Sequence, residues 1–394
     1  MIKKFFPFLI PAIFALILIS CNDSPTDLGV GYVDNLDGVG LYKFSSDSVT
    51  QSSNSFEHVY SLGGSARLLI GKAENASAYS MIKYKFSLAD TIIADIKSNK
   101  INVLDSWVSL VKDYKFGDSS AAFDYNVYKI NSGWSSSTFS ADSFNLGLLS
   151  YDNVNVSSFR ETDNDTLYTF HLDTTVTSSW LHSFADTSLD YTNYGILISP
   201  KSESQKVLGF SALSSTGEDQ PLLTYVIEKP GVYIDTVYAY TYADISFVTG
   251  NRFDAGPENL VIQSSLSTEA KLFFDLSSLP KDITINSATL TLTVDTLQTK
   301  VGKPYNNALT AYLIADSTID SVYSGVYASL SRSGATFTGK VTELVRTIGG
   351  NITNQGFIVK ASSELYGIEI FAIKGSNAAN VSQRPKLEIV FSRR

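Results

Sequence analysis

The alternation of apolar and polar residues is clearest between Ala270 and Val294, AKLFFDLSSLPKDITINSATLTLTV. In its second half Ala288, Leu290, Leu292 and Val294 share one parity, and Ser287, Thr289, Thr291 and Thr293 share the other. A period of two with β-branched residues on the polar side predicts a strand buried on one face only. In the first half Phe273 stands between Lys271 and Asp275, and the apolar step ends at Ser277-Ser278-Leu279-Pro280. Proline has no N–H for a strand ladder, so Pro280 belongs in a turn. The stretch as a whole predicts the core hairpin of an antiparallel sandwich.

The same pattern occurs earlier in the chain. Residues 66–71 correspond to Asn259-Leu260-Val261-Ile262, and Ser80-Met81-Ile82-Lys83-Tyr84-Lys85-Phe86 to Ala270-Lys271-Leu272-Phe273-Phe274. Ser106-Trp107-Val108-Ser109-Leu110 answers Ala288-Thr289-Leu290-Thr291-Leu292, and Asn126-Val127-Tyr128-Lys129-Ile130 answers Leu309-Thr310-Ala311-Tyr312-Leu313. Late in each copy, Asn193-Tyr194-Gly195-Ile196 matches Asn354-Gln355-Gly356-Phe357, and the strand from Gln220-Pro221 matches that from Arg384-Pro385. Six equivalences in one order, at a period of roughly 165–190 residues, predict a tandem of domains and not a solenoid of short repeats. Lys229-Pro230-Gly231 is the expected linker. The expected units are therefore a first sandwich over residues 41–228, the linker at 229–231, and a second sandwich over 232–394, sitting end to end with limited freedom.

Phe274-Asp275-Leu276-Ser277-Ser278-Leu279-Pro280, followed by the strand from Ile283 to Val294, resembles the signature of the DNRLRE domain family. The closing segment does too, with Asn354-Gln355-Gly356-Phe357 and then Arg384-Pro385-Lys386-Leu387-Glu388-Ile389-Val390. The resemblance spans about Asn259 to Phe391. That family comprises β-sandwich modules of bacterial surface and secreted proteins, related to alginate-binding carbohydrate-binding modules. The resemblance implies an all-β fold of two tandem antiparallel β-sandwich, jelly-roll-like domains. It also implies a non-catalytic surface binding or adhesion role, with polysaccharide as the ligand class. None of the matching motifs is catalytic.

Residues 1–20 carry Lys3 and Lys4 and then an apolar run from Phe5 to Ile19. That is the form of a secretory signal and not of a spanning helix, and Pro7 and Pro11 point the same way. Leu18-Ile19-Ser20-Cys21 resembles the bacterial lipobox, which implies cleavage before Cys21 and a lipid anchor on it. Several acyl chains, at about 0.8 kcal/mol per buried CH₂, hold a protein stably in a bilayer. Residues 21–40 form the lipidated cysteine and a flexible tether. The segment CNDSPTDLG is similar to the start of mature lipoproteins from Bacteroidetes-like bacteria, where acidic residues after the cysteine accompany surface export. The expected location is the outer membrane, displayed at the cell surface.

Charge and cysteine content narrow the partners. With 30 Lys+Arg against 39 Asp+Glu the formal net charge is −9, and no basic patch is present to neutralise a phosphate backbone, so nucleic acid is excluded as a partner. The same acidity disfavours a polyanion such as alginate. Cys21 is the one cysteine, which rules out intrachain disulfides, cysteine-based metal sites and a cysteine nucleophile. His58, His171 and His182 are scattered, which argues against zinc. No cofactor is expected.

Three tryptophans are the candidate sugar-stacking residues. Trp107 falls on the polar parity of its strand beside Ser109, opposite Val108 and Leu110, and an outward indole is a platform for the C–H face of a sugar. Burial under a loop is the plainer role. Trp134 and Trp180 stand where the resembled family carries tryptophans, and their plainer role is to fill core or seam space. Asp163, Asn164 and Asp165 offer oxygens to a structural Ca²⁺, but lack the spacing of an EF-hand loop. The chain has no Gly-x-Ser-x-Gly elbow, P-loop, His-Glu-x-x-His or Rossmann glycine set. The reading is a non-enzymatic envelope lipoprotein that binds polysaccharide. A structural spacer or subunit of a surface assembly of envelope proteins is the alternative. A polysaccharide-degrading enzyme with an unrecognised carboxylate pair is a weaker one.

Overall fold

The structure is a computed structural model that describes residues 40–57, 65, 67–163, 165–213, 219–350 and 352–393. The expected signal peptide, Cys21 and the tether lie outside the described residues. Within them the chain forms twenty-two strands and four α-helices. The first part of the chain runs β1 (Gly40–Ser45), β2 (Gln51–Glu57), β3 (Arg67–Ala73), β4 (Ala76–Phe86), α1 (Asp90–Lys97), β5 (Asn102–Phe116), β6 (Tyr125–Ile130), α2 (Ala141–Asn145), β7 (Tyr151–Asn155), β8 (Ser157–Asp163), β9 (Leu167–Leu172), α3 (Thr174–Ala185), β10 (Ile196–Pro200), β11 (Val207–Ser211), β12 (Leu222–Lys229) and β13 (Tyr233–Gly250). It continues through β14 (Asn259–Gln263), β15 (Thr268–Phe274), β16 (Ile283–Thr293), β17 (Ala308–Asp316), β18 (Ser321–Ser333), β19 (Thr336–Lys340), α4 (Thr342–Gly349), β20 (Phe357–Ala361), β21 (Ile370–Lys374) and β22 (Lys386–Arg393). The fold is all-β, with two antiparallel sheets of eleven strands each. Each sheet folds over a core of its own to give a sandwich-like body.

Period-two patterning explains the cores. In β16 Ala288, Leu290 and Leu292 are buried while Thr289, Thr291 and Thr293 stay partly exposed. In β5 Ser106, Val108 and Leu110 face inward, with Trp107 and Ser109 on the other side. Leu290, Leu272, Phe274, Phe337, Phe357 and Leu387 belong to one core, and Val108, Tyr84, Phe170, Trp180, Phe210 and Tyr225 to the other.

The stretch Ala270–Val294 does form two strands, but they are not a hairpin. β15 pairs with β2, β14 and β20, whereas β16 pairs with β19 and β22. Four strands, β19, β18, β17 and β20, stand between them along the path of the same sheet, so the connection through residues 275–282 is not a tight hairpin turn. Both strands present apolar residues to the same core.

The duplication is visible in atomic detail. Asn193 donates from Nδ2 to the Tyr84 carbonyl at 2.9 Å, and Asn354 donates to the Phe274 carbonyl at 2.8 Å. Two residues on, Gly195 and Gly356 have φ of 88° and 93°. A Cβ at either would collide with the backbone carbonyl of Ile82 or Leu272, so only glycine lets β10 and β20 enter beside their neighbours.

The expected boundaries do not coincide with the sheets. Lys229-Pro230-Gly231 is not a linker between bodies. It is the turn of a hairpin in which Val232 donates back to the Lys229 carbonyl at 2.9 Å and β13 pairs with β12 from Tyr233 to Tyr240. β13 then runs on along β4 as far as Gly250, so it closes the first sandwich. The leading strands of the chain do the converse. β1 lies along β22, with Gly40 opposite Arg393, and β2 lies along β15. The leading segment of each copy thus completes the other copy's sheet. Sequence similarity gives the order of equivalent strands, but an edge strand's partner is fixed by which ladder is open to it.

A third apolar cluster joins the two bodies. Leu69, Tyr114, Phe116, Val207 and Val248 from the first pack with Val261, Ile368, Ile370 and Ala372 from the second. Tyr114 is its centre. Its ring fills the space that a side chain at Gly302 would need, and its hydroxyl donates to Glu369 Oε1 at 2.8 Å while accepting from the Ile368 N–H at 3.1 Å. Arg67 lies over the same ring at 4.7 Å and pairs with Asp113 at 2.8 Å. Removing the hydroxyl takes one donor from a buried carboxylate and the acceptor from the Ile368 N–H, a loss of about 1–3 kcal/mol. Removing the ring as well opens a cavity at about 3–5 kcal/mol. Urea denaturation is therefore expected to rank the wild type above Tyr114→Phe, and Tyr114→Phe above Tyr114→Ala.

Candidate functional site

The outer face of the first sandwich carries an aromatic and polar array built from paired strands. β5 sits between β12 and β9, so residues opposite one another in register share a face. Thr224 pairs with Trp107, Trp107 with His171, and on the other side Tyr238 with Thr224. The result is a row across four strands: Tyr238, Thr224, Trp107, His171. Thr224 is buried between its two aromatic neighbours, and Tyr238 is exposed. The next row is Tyr240, Leu222, Ser109 and Thr169.

His171 organises the polar end. Its ring lies 5.9 Å from the Trp107 ring, tilted by 37°, and its Nδ1 donates to Asp105 Oδ1 at 2.8 Å. Because a carboxylate only accepts, that contact places the proton on Nδ1. The Ser106 N–H donates to the same oxygen, which fixes the Asp105 side chain. Beyond this pair a cavity of about 490 Å³ opens, lined by Asp105, Asn155, Ser157, Ser158, His171, Asp173 and Thr174 among others. Its size falls in the range of small-ligand sites. Asp173 caps α3 by accepting from the Thr175 N–H at 2.7 Å. The site therefore combines a half-buried indole, an exposed phenol and fixed carboxylate and imidazole groups. That set supplies an apolar face to stack on and polar groups for hydroxyls.

The structure separates the three tryptophans. Trp107 lies half-buried on the outer face. Trp134 packs on the apolar cluster of Met81, Phe139 and Leu197, and donates from Nε1 to the Tyr194 carbonyl at 2.9 Å. Trp180 projects from α3 into the core with no exposed surface, so it offers no face to a ligand. A helix crossing a sandwich must bury one side, and a large apolar ring on that side belongs to the core. Of the calcium candidate, the structure describes only part. Asp163 ends β8, Asn164 lies outside the described residues, and the Asp165 carboxylate pairs with Lys112 at 2.5 Å and accepts from the Tyr168 hydroxyl at 3.1 Å. The Lys112 ammonium holds the Asp165 carboxyl below the usual carboxylate range. Among the described residues no three His, Cys, Asp or Glu side chains converge as a metal site.

Sequence reasoning passed over His171 and Asp105. Asp105 shares the outward parity of Trp107, which was a usable signal, but the pairing of β5 with β9 is non-local and carries no mark in the sequence. No family model, curated protein or solved structure matches this chain.

A buried acidic pair lies in the second body. Glu269 and Glu364 both approach Lys360, at 3.9 and 3.4 Å. Burial pushes the Glu364 carboxyl up to about 7, with Lys360 opposing and Glu269 adding to the rise. A carboxyl that binds its proton more tightly when folded favours the native state at low pH, and that advantage is lost as pH rises from about 4.5 to 7. Thermal melts from pH 5 to pH 8 should therefore show a decline that Glu364→Gln reduces.

The difference in burial between the indoles gives a second test. Trp180→Ala is expected to cost about 3–5 kcal/mol and Trp107→Ala clearly less, by urea denaturation. Equal losses would mean that Trp107 is a core residue.

Proposed function

We propose that the protein is a non-catalytic binding or adhesion module of the cell envelope, anchored by lipid at Cys21 on the outer membrane and binding polysaccharide on the outer face of its first sandwich. The observation that carries the reading is the row Tyr238, Thr224, Trp107, His171 opening on the cavity beside Asp105. Sugar rings present an apolar face and a rim of hydroxyls, and this surface presents an indole and a phenol beside fixed polar acceptors and donors. The resemblance to DNRLRE modules supports the same ligand class, and the lipobox-like end of the leading apolar run supports the anchor. The acidic net charge supports a neutral polysaccharide over a polyanion. The second body lacks an equivalent row, since Thr289 stands where Trp107 does, which supports one such face per chain.

A structural role is the second reading. It is favoured by the interlocked strands and the shared interface core, which tie the two sandwiches together.

Affinity electrophoresis of residues 22–394 through gels containing neutral polysaccharides separates the two. Retardation by at least one polymer, weakened tenfold or more in Trp107→Ala and in His171→Ala, is the expected result. Unretarded migration in every gel would overturn the binding reading in favour of the structural one.

A further inference from the structure

A cavity of about 690 Å³ opens where β2, the crossover from β13 to β14 and the turn after β21 meet. Its polar wall is drawn from three separate segments: Asn54 and Glu57 of β2, Asn251, Arg252 and Asp254 of the crossover, and Asn377 of the turn. The half-buried ring of Phe253 adds an apolar side. The cavity is held open from behind. Ser55 Oγ accepts from the Val261 N–H at 2.7 Å, and Ser53 Oγ accepts from the Ser376 N–H at 2.8 Å, so β2 is pinned to β14 and to the turn by its serines.

The groups on this wall are largely unused by the fold. The side chains of Asn54, Glu57 and Asn251 make no hydrogen bond to other described residues, and Arg252 makes one, from an Nη to the Ser55 carbonyl at 3.2 Å. No carboxylate of a described residue lies within ion-pair distance of Arg252. Planar amide, carboxylate and guanidinium groups each present two hydrogen-bonding positions side by side, which suits adjacent hydroxyls. Glu57 and Asp254 offset the charge of Arg252, so the wall has no excess of positive charge to draw an anion.

We propose that this cavity is a second glycan site, which takes a neutral sugar unit and grips its adjacent hydroxyls through Asn54, Asn251 and Arg252. The site exists only because β2 has been delivered to the second sandwich, since β2 supplies one wall. It shares its ligand class with the reading above but none of its residues.

Saturation-transfer NMR on residues 22–394 tests it, with cellohexaose, xylohexaose, mannohexaose and maltohexaose as probes. Four proteins are compared: wild type, Trp107→Ala, Arg252→Ala and Asn54→Ala/Asn251→Ala. The altered side chains at this cavity are exposed, so their melting temperatures are expected to stay at the wild-type value. The expected result is transfer to at least one hexaose in the Trp107→Ala protein, and at least tenfold weaker binding at this second site in the two cavity variants. No transfer to any probe in the Trp107→Ala protein would overturn the proposal. So would transfer undiminished in both cavity variants. Transfer lost in Trp107→Ala alone would leave the first face standing and remove this one.

Discussion

Backbone pairing between β1 and β22 brings the two ends of the described chain side by side, and the rest of the architecture depends on it. In the first sandwich the corresponding pair, β12 and β13, is joined by a tight turn at residues 229–232. In the second sandwich the same ladder is made without a covalent turn, because its two strands are the first and last among the described residues. The loop closed in this way contains nearly the whole protein, and its entropic cost grows only slowly with length. The alternative is worse. Without β1 and β2, the ladders of β22 and β15 would each show an open row of N–H and C=O groups. The exchange of leading segments therefore removes edges from both bodies at once, and it makes each body's sheet depend on a strand from the other copy.

Interlocked sheets restrict how the bodies can move, and the interface core restricts them further. Tyr114 carries a ring from the first sandwich against Gly302 of the second, and its hydroxyl bridges Glu369 and the backbone at Ile368. A short linker alone would limit the freedom of such a tandem only by its length. Here the covalent connection is the least of the links, and the crossover from β13 to β14 runs over surfaces already fixed on both sides.

Each sandwich spends one face of its strands on the core, so chemistry is left to the other face and to the places where segments meet. On β5 the inward residues Ser106, Val108 and Leu110 are interchangeable in kind with Ala288, Leu290 and Leu292 of β16. The outward residues are not. Trp107 stands where β16 has Thr289, and the row that holds Tyr238, Thr224, Trp107 and His171 in the first body holds Ser45, Glu388, Thr289 and Lys340 in the second. Duplication has preserved the cores while the wet faces diverged, which is what packing constraints on one face and solvent on the other would produce.

The local code was legible. Alternation at Ala288–Val294, the glycines at 195 and 356, the asparagines two residues before them and the inward and outward sides of Trp107 all follow from residue chemistry within a few positions. The sequence by itself determined the all-β class, the duplication and which residues each strand would bury, because side-chain period and backbone permissiveness are local properties. It set Trp107 on the outward parity and gave Trp180 the plainer role of filling core, and the packing of α3 shows Trp180 fully buried. Tertiary structure alone decided that β15 and β16 do not pair with each other, that β13 belongs to the first sandwich and β1 and β2 to the second, and that Trp107 meets His171. Those are choices of ladder partner between segments distant in the chain. Backbone hydrogen bonds are the same for every residue type, so the partner is settled by which edge remains open once all the other strands are in place.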